Sequence, residues 1–439
     1  MKIILSDDVP IYQRPRRLSY EDQQIVENQI QEWLSDGIIK PSFSEYTSSI
    51  VLVSKKDGGK RLCCDYRKLN EKVLRDGFPM VIVDDVLHKL SSAKIFTTLD
   101  LRNGFFHVPV DEGSQKYTSF VTHNGQFEFL FVPFGICNAP AVFCGFIFAI
   151  FRELIQDGTI IVYMDDIILP SQNEQEGIEK LQKVLSLAEK HNIQIKWEKC
   201  QFLSRRVNFL GYIIEDSTIK PANEKTRSIE NFPLPKDKKT LQRFLGLTSY
   251  FRRFVRDYAL IAKPLSDLLK KDVKFEIKDE QIVAFNELKL KLTTEPVLTL
   301  YNPKALTEVH TDASMFAYGA VMLQKSSDDQ EFHPVEYMSR KTSATEQKYH
   351  SYELEVLAII NALKKWRVFL LGLEVKVVTD CNAFAMTMRK AEVPLRVSRW
   401  AMFLQDFKIT IEHRSGSKMR HVDALSRICT LIVEDSMKH

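Results

Sequence analysis

One short stretch decides how this chain folds: IIVYMDDIIL, residues 160–169. Its two apolar runs are rich in Ile and Val and predict two buried strands joined by a tight turn. The turn carries Asp165 and Asp166 side by side, with no Lys or Arg in the stretch to neutralise them. Adjacent carboxylates repel each other, and a hard divalent cation such as Mg²⁺ relieves that repulsion. The alternative is a hairpin whose turn carries Asp simply as a common turn residue.

The composition is that of an ordinary globular protein. Its 439 residues are too many for one core and predict two to four domains. The net charge is only +4, so a nucleic-acid partner would have to be met by local basic patches. Seven cysteines without C-x-x-C spacing favour a reducing compartment over a zinc site or a disulfide framework. The apolar run 141–151 is about half a membrane span, and no signal peptide is visible, so no membrane partner is expected.

The first half of the chain predicts a mixture of helices and strands. Residues 50–53 and 61–66 form a hairpin around a lysine-rich tip, which is either a solvated loop or a flap that closes on a triphosphate. A strand over 95–101 ends on Asp100. The other predicted elements are helices at 20–36, 141–154 and 174–191 and strands at 116–120 and 127–131.

The second half begins with a basic helical region. Between residues 236 and 274 there are eleven Lys or Arg against four Asp or Glu. Arg252 and Arg256 lie off an apolar stripe of Phe244, Leu247, Phe251 and Phe254. Such a surface is either a solvated face or a contact with a phosphate backbone. From residue 303 onward the pattern predicts strands at 309–314, 317–323 and 375–379 and a helix at 351–370.

Two separate sets of acids follow from these elements. Asp100 lies 65 residues before Asp165, and a sheet can bring both together around two Mg²⁺ ions about 3.5–4 Å apart. The second set is presented from a strand, a helix, a strand and a helix start, and consists of Asp312, Glu353, Asp380 and Asp423. Any one of these four could be structural, but the set is hard to explain as surface charge. His413, in a Gly-containing loop, is either a mobile general acid or product-release group or an ordinary exposed loop histidine.

Five motifs together resemble a known family. They are YMDD (163–166) between apolar runs, PFGICNAP (133–140), LDL (99–101), DYRKLN (65–70) and FLGL (244–247). In this combination they resemble the polymerase and ribonuclease H segment of gypsy-type LTR retrotransposon polyproteins, which is related to retroviral reverse transcriptases. The resemblance runs from about Pro10 to Arg427, with the motifs in the family's order.

The resemblance implies an α+β fold with two parts. A right-hand polymerase of fingers, palm and thumb is followed by an α/β ribonuclease H-like domain. Residues 1–220 would form fingers and palm, 221–302 the thumb and connecting helical region, 303–430 the ribonuclease H domain, and 431–439 a tail.

The resemblance also assigns site residues. Asp100, Asp165 and Asp166, with the backbone of Leu101, match the polymerase metal site, and Asp312, Glu353, Asp380 and Asp423 match the ribonuclease H tetrad. The residues that would bind the substrate are Lys55 and Arg61 at the triphosphate, Phe105 as the aromatic steric gate against a 2′-hydroxyl, Phe134 in the nucleotide pocket, and Leu210 and Gly211 in the primer grip. Phe106 would point the other way along a strand and fill the core.

Two departures from the family accompany these matches. Many relatives carry His where this chain has Cys381, and relatives often carry Tyr where His413 stands. Neither departure removes a metal ligand. The absence of protease, zinc-knuckle and integrase motifs suggests a processed or excised piece of a longer polyprotein, or a truncated reading frame.

The resemblance implies cofactors, partners and a location. Each active site would hold two Mg²⁺ ions, with Mn²⁺ as a substitute. The partners would be an RNA template, a DNA primer, an RNA–DNA hybrid and dNTPs, together with other retroelement polyprotein products and a possible second copy in a homodimer. The location would be cytoplasmic, in a retroelement particle, or nuclear.

The predicted function is RNA-directed DNA polymerase with ribonuclease H activity. One alternative is a domesticated or decayed retroelement protein that binds nucleic acid without catalysis. Intact acids at all seven metal positions argue against decay. A third interpretation keeps catalysis in only one of the two domains.

Overall fold

The computed structural model describes residues 1–54, 58–79, 81–102, 104–294, 297–379 and 395–414. The chain separates into two compact units. Unit 1 comprises residues 1–89 and 93–205, and unit 2 comprises residues 90–92 and those from 206 onward. The division into 1–220, 221–302 and 303–430 stays a prediction, and each unit is described by itself.

Unit 1 contains two sheets around one apolar core. The five-stranded sheet has the order β1-β6-β5-β2-β3, and the four-stranded sheet has the order β7-β8-β4-β9. Its strands are β1 (Ile39–Pro41), β2 (Ser48–Ser54), β3 (Lys60–Cys64), β4 (Ile95–Asp100), β5 (Phe120–Thr122), β6 (Gly125–Phe129), β7 (Ile161–Tyr163), β8 (Asp166–Ser171) and β9 (Gln201–Ser204). Its helices are α1 (Tyr20–Ser35), α2 (Arg67–Lys72), α3 (Val83–Lys89), α4 (Glu112–Gln115), α5 (Ala139–Gln156) and α6 (Glu174–Lys190).

Most of the predicted elements of this unit are present, with two differences. Residues 116–118 form a 3₁₀ turn instead of the start of a strand, and only Phe120 onward is extended. Phe105 and Phe106 lie in a 3₁₀ turn, Gly104–His107, so the expectation that they alternate along a strand is wrong. Both corrections arise because aromatic and β-branched residues favour strands only weakly when tertiary contacts select a turn.

Helix α5 is the one helix among the described residues that is long and apolar enough, by length and composition alone, to cross a membrane. It is longer than the apolar run from which the sequence predicted no span. Its inner residues Phe143, Ile147 and Phe151 are buried in the core of unit 1, so part of its apolar surface packs within the protein.

Unit 2 joins a small antiparallel sheet and a group of helices to a larger sheet. The small sheet has the order β10-β11-β12-β13; the larger, β16-β15-β14-β17-β18, is antiparallel from β16 to β14 and parallel from β14 to β18. Its strands are β10 (Arg206–Phe209), β11 (Tyr212–Glu215), β12 (Thr218–Pro221), β13 (Leu298–Thr299), β14 (Thr307–Ala313), β15 (Ala317–Lys325), β16 (Phe332–Lys341), β17 (Glu374–Thr379) and β18 (Lys408–His413). Its helices are α7 (Asn223–Glu230), α8 (Lys238–Tyr250), α9 (Tyr258–Ile261), α10 (Lys263–Asp267), α11 (Asp279–Thr293), α12 (Ser351–Lys365), α13 (Arg367–Leu370) and α14 (Leu395–Leu404).

The basic helical region packs on the larger sheet of the same unit. Phe244, Phe251 and Phe254 are buried, as their predicted stripe requires. Arg252 Nη2 donates to the Ser339 carbonyl oxygen in β16 at 2.7 Å, and the Ala259 N–H donates to Ser339 Oγ at 3.2 Å. One nitrogen of the exposed Arg252 guanidinium is therefore engaged inside unit 2, and the contact of this region with a phosphate backbone stays a prediction.

Candidate active sites

The predicted polymerase acids are brought together by the register of unit 1's four-stranded sheet. Strand β4 pairs antiparallel with β8 so that Asp100 faces Asp166, and β7 pairs with β8 so that Tyr163 faces Asp166. Met164 and Asp165 form the turn between β7 and β8, and Met164 has a left-handed φ of 54°. Two residues 66 apart in sequence thus sit opposite each other at one end of the sheet, with Asp165 exposed beside them.

The neighbouring carboxylates of this site repel one another, so that a positive charge would stabilise them. Burial, then the neighbouring carboxylates of Asp165 and Asp100, raise the pKa of Asp166 to about 6, while the nearby ammonium of Lys199 lowers it. Lys199 Nζ lies 3.0 Å from Asp100 Oδ2 and supplies one cation. Within the described ranges, no group of three or more His, Cys, Asp or Glu side chains is already arranged as a metal cage. The donor oxygens nevertheless fit Mg²⁺, which prefers one or two carboxylates and keeps its remaining positions for water and phosphate.

Helix α5 supports both the acid turn and the aromatic residues next to it. A backbone hydrogen bond links Met164 to the thiol of Cys144; burial raises the pKa of this thiol, and the charge of Asp165 adds to the increase. The neighbouring Phe143 packs edge-on against Phe105, with ring centroids 5.4 Å apart. Leu101, whose backbone is predicted to contact a metal, is buried and forms an isolated antiparallel β-bridge with Ile195.

Three of the predicted nucleotide-binding residues lie together in unit 1. The rings of Phe105 and Phe134 are 4.9 Å apart between centroids, and Arg61 Cζ lies 5.9 Å from the centroid of Phe134. Phe106 also contacts Phe134, at 5.8 Å. Lys55 lies outside the described residues. The cluster therefore places one guanidinium over an aromatic surface, an arrangement suited to a nucleotide.

The predicted primer grip is a tight turn in unit 2. Leu210 and Gly211 connect β10 to β11 and both have left-handed φ values, 52° and 79°. The Tyr250 hydroxyl donates to the Leu210 carbonyl oxygen at 2.9 Å, and the ring of Tyr250 stacks on Tyr212 at 5.4 Å. The turn is thereby fixed to the end of helix α8.

The second acid set is only partly covered by the described residues. Asp312 is buried in β14, and Glu353 is buried in the first turn of α12, where its carboxylate accepts the His350 N–H as part of a capping box. A neighbouring buried acid, Glu355, accepts the N–H of Ala313, next to Asp312, at 3.2 Å. Asp380 and Asp423 lie outside the described residues.

His413 has a different setting from the predicted loop. It is the exposed last residue of β18, paired in register with Thr379, the residue before Asp380. The expectation of a loop is wrong because the segment 408–413 completes the parallel edge of the sheet. Its role as a general acid stays a prediction.

The sequence interpretation did not single out two residues that the structure places beside these acids. Lys199 is separated by 99 residues from Asp100, and the pairing of β9 with β4, together with the backbone hydrogen bond from Lys196 to Asp100, brings it there. Glu355 had a visible signal, because it lies two residues after Glu353 in a helix whose other side is apolar. Helical geometry puts these two acids on different faces, and the structure shows which of them contacts the strand that carries Asp312.

Two segments of the chain match two known domain types. Residues 53–214 match the family described as reverse transcriptase (RNA-dependent DNA polymerase), and residues 277–377 match the ribonuclease H-like domain found in reverse transcriptase. The solved foamy viral protease–reverse transcriptase in complex with dsDNA is similar, with a TM-score of 0.83 and 25% identity over 93% of this chain and 86% of that chain. The same protein in complex with an RNA/DNA hybrid gives 0.76 and 25% identity, over 93% of this chain and 55% of that chain. The chain therefore has the right-hand polymerase and ribonuclease H-like fold predicted for it.

The curated relatives identify the family more narrowly. The retrovirus-related Pol polyprotein from transposon 297 of Drosophila melanogaster is 37% identical over 95% of this chain, and that from transposon opus of the same organism is also 37% identical over 95%. The transposon Tf2-3 polyprotein of Schizosaccharomyces pombe (strain 972 / ATCC 24843) is 35% identical over 92%. The chain spans 40%, 43% and 30% of the lengths of these three relatives. The chain is therefore similar to part of the Pol polyproteins of LTR transposons, as its motifs predicted.

Proposed function

We propose that this chain copies RNA into DNA and degrades the RNA strand of the resulting RNA–DNA hybrid. The observation that carries the proposal is the register that sets Asp100 opposite Asp166 beside the exposed Asp165. Acids gathered in this way are the usual ligands of the metal ions in nucleotidyl transfer. The similarity to a foamy viral enzyme solved with dsDNA and with an RNA/DNA hybrid supports the same substrates here.

The polymerase site would hold Mg²⁺ on Asp100, Asp165 and Asp166, with the backbone of Leu101. When bound, two such ions activate a 3′-hydroxyl and neutralise the leaving pyrophosphate. The chain's own residues position the reactants. Arg61 would bind the triphosphate, Phe105 would exclude a 2′-hydroxyl, and the Leu210–Gly211 turn would hold the primer.

The hybrid-cleaving site would hold Mg²⁺ on Asp312, Asp380, Asp423 and one glutamate of α12. We assign this glutamate as Glu355, because its carboxylate contacts the backbone next to Asp312, whereas the carboxylate of Glu353 caps its own helix. The metal would supply an activated water for phosphodiester hydrolysis. The partners would be recognised by backbone and shape rather than base sequence.

One assay tests the proposal as a whole. A DNA primer is extended on a labelled RNA template with Mg²⁺ and dNTPs, and both strands are followed on one gel. We expect Asp165→Asn to abolish extension and spare hybrid cleavage, and Asp312→Asn to do the reverse. Asp216→Asn is the matched control, since Asp216, like Asp165, is an exposed acid in the turn of a hairpin.

Three results would contradict the proposal. A wild-type chain that binds the hybrid but neither extends the primer nor cleaves RNA would point to nucleic-acid binding without catalysis. Extension by Asp165→Asn at the wild-type rate would remove the assignment of the polymerase site. Cleavage by Asp312→Asn would do the same for the second site.

A further inference from the structure

His107 ends the 3₁₀ turn Gly104–His107, here called the gate turn, and joins it to a distant segment. His107 Nε2 accepts the Gln194 N–H at 3.0 Å, and Nδ1 lies 3.0 Å from the Gly104 carbonyl oxygen. A backbone amide can only donate, so Nε2 carries no proton and Nδ1–H must donate to Gly104. Both hydrogen bonds therefore require one tautomer of the neutral imidazole.

The surroundings of His107 favour that neutral form. Burial lowers the pKa of the imidazole, and the hydrogen bond to the Gly104 carbonyl offsets part of this change. The two hydrogen bonds are therefore compatible with each other at neutral pH, and the ring acts as a fixed connector rather than as a charged group.

The partner segment is itself fixed to the strand that carries Asp100. The Arg102 N–H donates to the Gln194 carbonyl at 2.9 Å, and the Lys196 N–H donates to the Asp100 carbonyl at 2.8 Å. The Gln194 carbonyl thus accepts from Arg102, just after β4, and the Gln194 N–H donates to His107. Hydrogen bonds therefore connect Asp100 to the gate turn through the segment that contains Gln194 and through the His107 side chain.

The opposite side of the gate turn is closed by helix α5. A Cβ added at Gly104 would lie 3.0 Å from the ring of Phe143, so the turn already touches that ring. Phe105 packs against the same ring at 5.4 Å. The turn therefore has little room to move toward α5. On its other side, the hydrogen bond between His107 and Gln194 holds it in place.

We propose that His107 is a positioning residue for sugar selection: it holds the gate turn so that the ring of Phe105 stays where a ribonucleotide's 2′-hydroxyl would collide with it. This inference rests on the proposed polymerase function and goes beyond it, since it assigns selectivity to a residue that touches no substrate. A small displacement of a residue that excludes one oxygen atom changes selectivity more than it changes turnover.

The test compares two substitutions of His107 in the full chain. His107→Leu keeps a similar volume but removes both hydrogen bonds, and His107→Gln keeps a donor and an acceptor on a flexible side chain. We expect His107→Leu to raise ribonucleotide incorporation relative to deoxynucleotide incorporation by about tenfold, with kcat for deoxynucleotides within about threefold of wild type. His107→Gln should restore most of the selectivity. His191→Leu, at an exposed histidine after α6, is the control and should match wild type.

A double-mutant cycle shows whether His107 acts through Phe105. In a Phe105→Ala background the ring that excludes the 2′-hydroxyl is gone, so His107→Leu should no longer change selectivity. An additional loss of selectivity in that background would overturn the inference. So would a His107→Leu variant that extends primers with wild-type selectivity.

The two proposals fail in different ways. If the wild-type chain extends no primer with deoxynucleotides, the polymerase function and this inference both fall. If wild type and His107→Leu extend equally well and select equally well, only the inference falls. If His107→Leu does not fold, as judged by its melting curve, His107→Ala takes its place because it also removes both hydrogen bonds: a tenfold loss of selectivity supports the inference, and wild-type selectivity contradicts it.

Discussion

The two acid sets of this chain are built differently. In unit 1 the acids lie at strand ends and in a hairpin turn, and Asp165 is exposed while Asp100 and Asp166 are half-buried. In unit 2 Asp312 lies within a strand and is 6% exposed, with the buried Glu355 beside it. A turn presents its carboxylates to a large incoming substrate, whereas a strand and a helix enclose them. The difference fits a site that must admit a nucleotide and a site that acts on one strand of a bound duplex.

The sharpest test of the comparison concerns the glutamate of unit 2. Glu355→Gln should lower hybrid cleavage by about a hundredfold or more, because a buried metal ligand would be lost. Glu353→Gln should cost far less, since a glutamine can still accept the His350 N–H in the capping box. Cleavage of a labelled hybrid measures both. The reverse order of effects would restore Glu353 as the ligand.

The cation at the polymerase site gives a second test. Lys199→Ala removes the ammonium 3.0 Å from Asp100 and leaves the acids more negative. We expect the Mg²⁺ concentration for half-maximal primer extension to fall by about threefold, a modest change because Lys199 is exposed and screened. Lys196→Ala, at an exposed neighbour, is the control. A higher Mg²⁺ requirement for Lys199→Ala would show that the ammonium does not compete for Asp100.

The third test compares two arginines of the basic helical region. Arg252→Ala should lower the free energy of unfolding by about 1 kcal/mol, because its hydrogen bond to Ser339 is lost. Arg243→Ala, at an exposed position of α8, should leave stability unchanged but reduce the salt dependence of duplex binding by about one unit of slope. Urea unfolding and binding at several salt concentrations distinguish the two. Equal stabilities for both variants would contradict the role given to Arg252.

The smallest expected effect is a pH dependence in unit 2. Burial, with a contribution from Asp312 and opposed by Arg256, raises the pKa of Asp257 to about 7 from its usual 3.8. The folded chain therefore binds this proton more tightly than the unfolded chain, and stability should fall as the pH rises from about 4 to about 7.

Asp257→Asn removes that dependence and suits the left-handed φ of 59° at this position. Melting temperatures with a metal chelator should show a larger gain for the variant at pH 7 than at pH 5. Asp216→Asn, exposed and also left-handed, should show no such difference. An equal gain at both pH values would mean that Asp257 is charged in the folded protein.

Local patterns predicted the elements that hold the polymerase acids. The apolar runs rich in Ile and Val on either side of Asp165 and Asp166 predict the hairpin, and the run before Asp100 predicts its partner strand. The same reasoning failed at Phe105, because the adjacent Gly104 and the ring of Phe143 select a turn that local propensity does not reveal.

Residues whose partners are distant in sequence could not be found in this way. The position of Lys199 beside Asp100 depends on the pairing of β9 with β4, and the hydrogen bond of Arg252 depends on its contact with β16. Neither contact can be predicted from local sequence. Strand β16 itself went unpredicted, since its sequence mixes Pro334, Glu336 and Arg340 with apolar residues. Charge patterning shows where a basic surface lies but not which side chains are already occupied by the protein.

The pairing of Asp100 with Asp166 has a consequence for how related chains can diverge. Side chains along a strand alternate between faces, so a single-residue insertion or deletion in β4 or β8 would send one of these carboxylates to the opposite face. Apolar residues in the two strands can exchange for one another, while length changes are confined to the loops between them. Lineages of such elements would therefore keep two short segments of fixed length even where most of the intervening sequence has been rewritten.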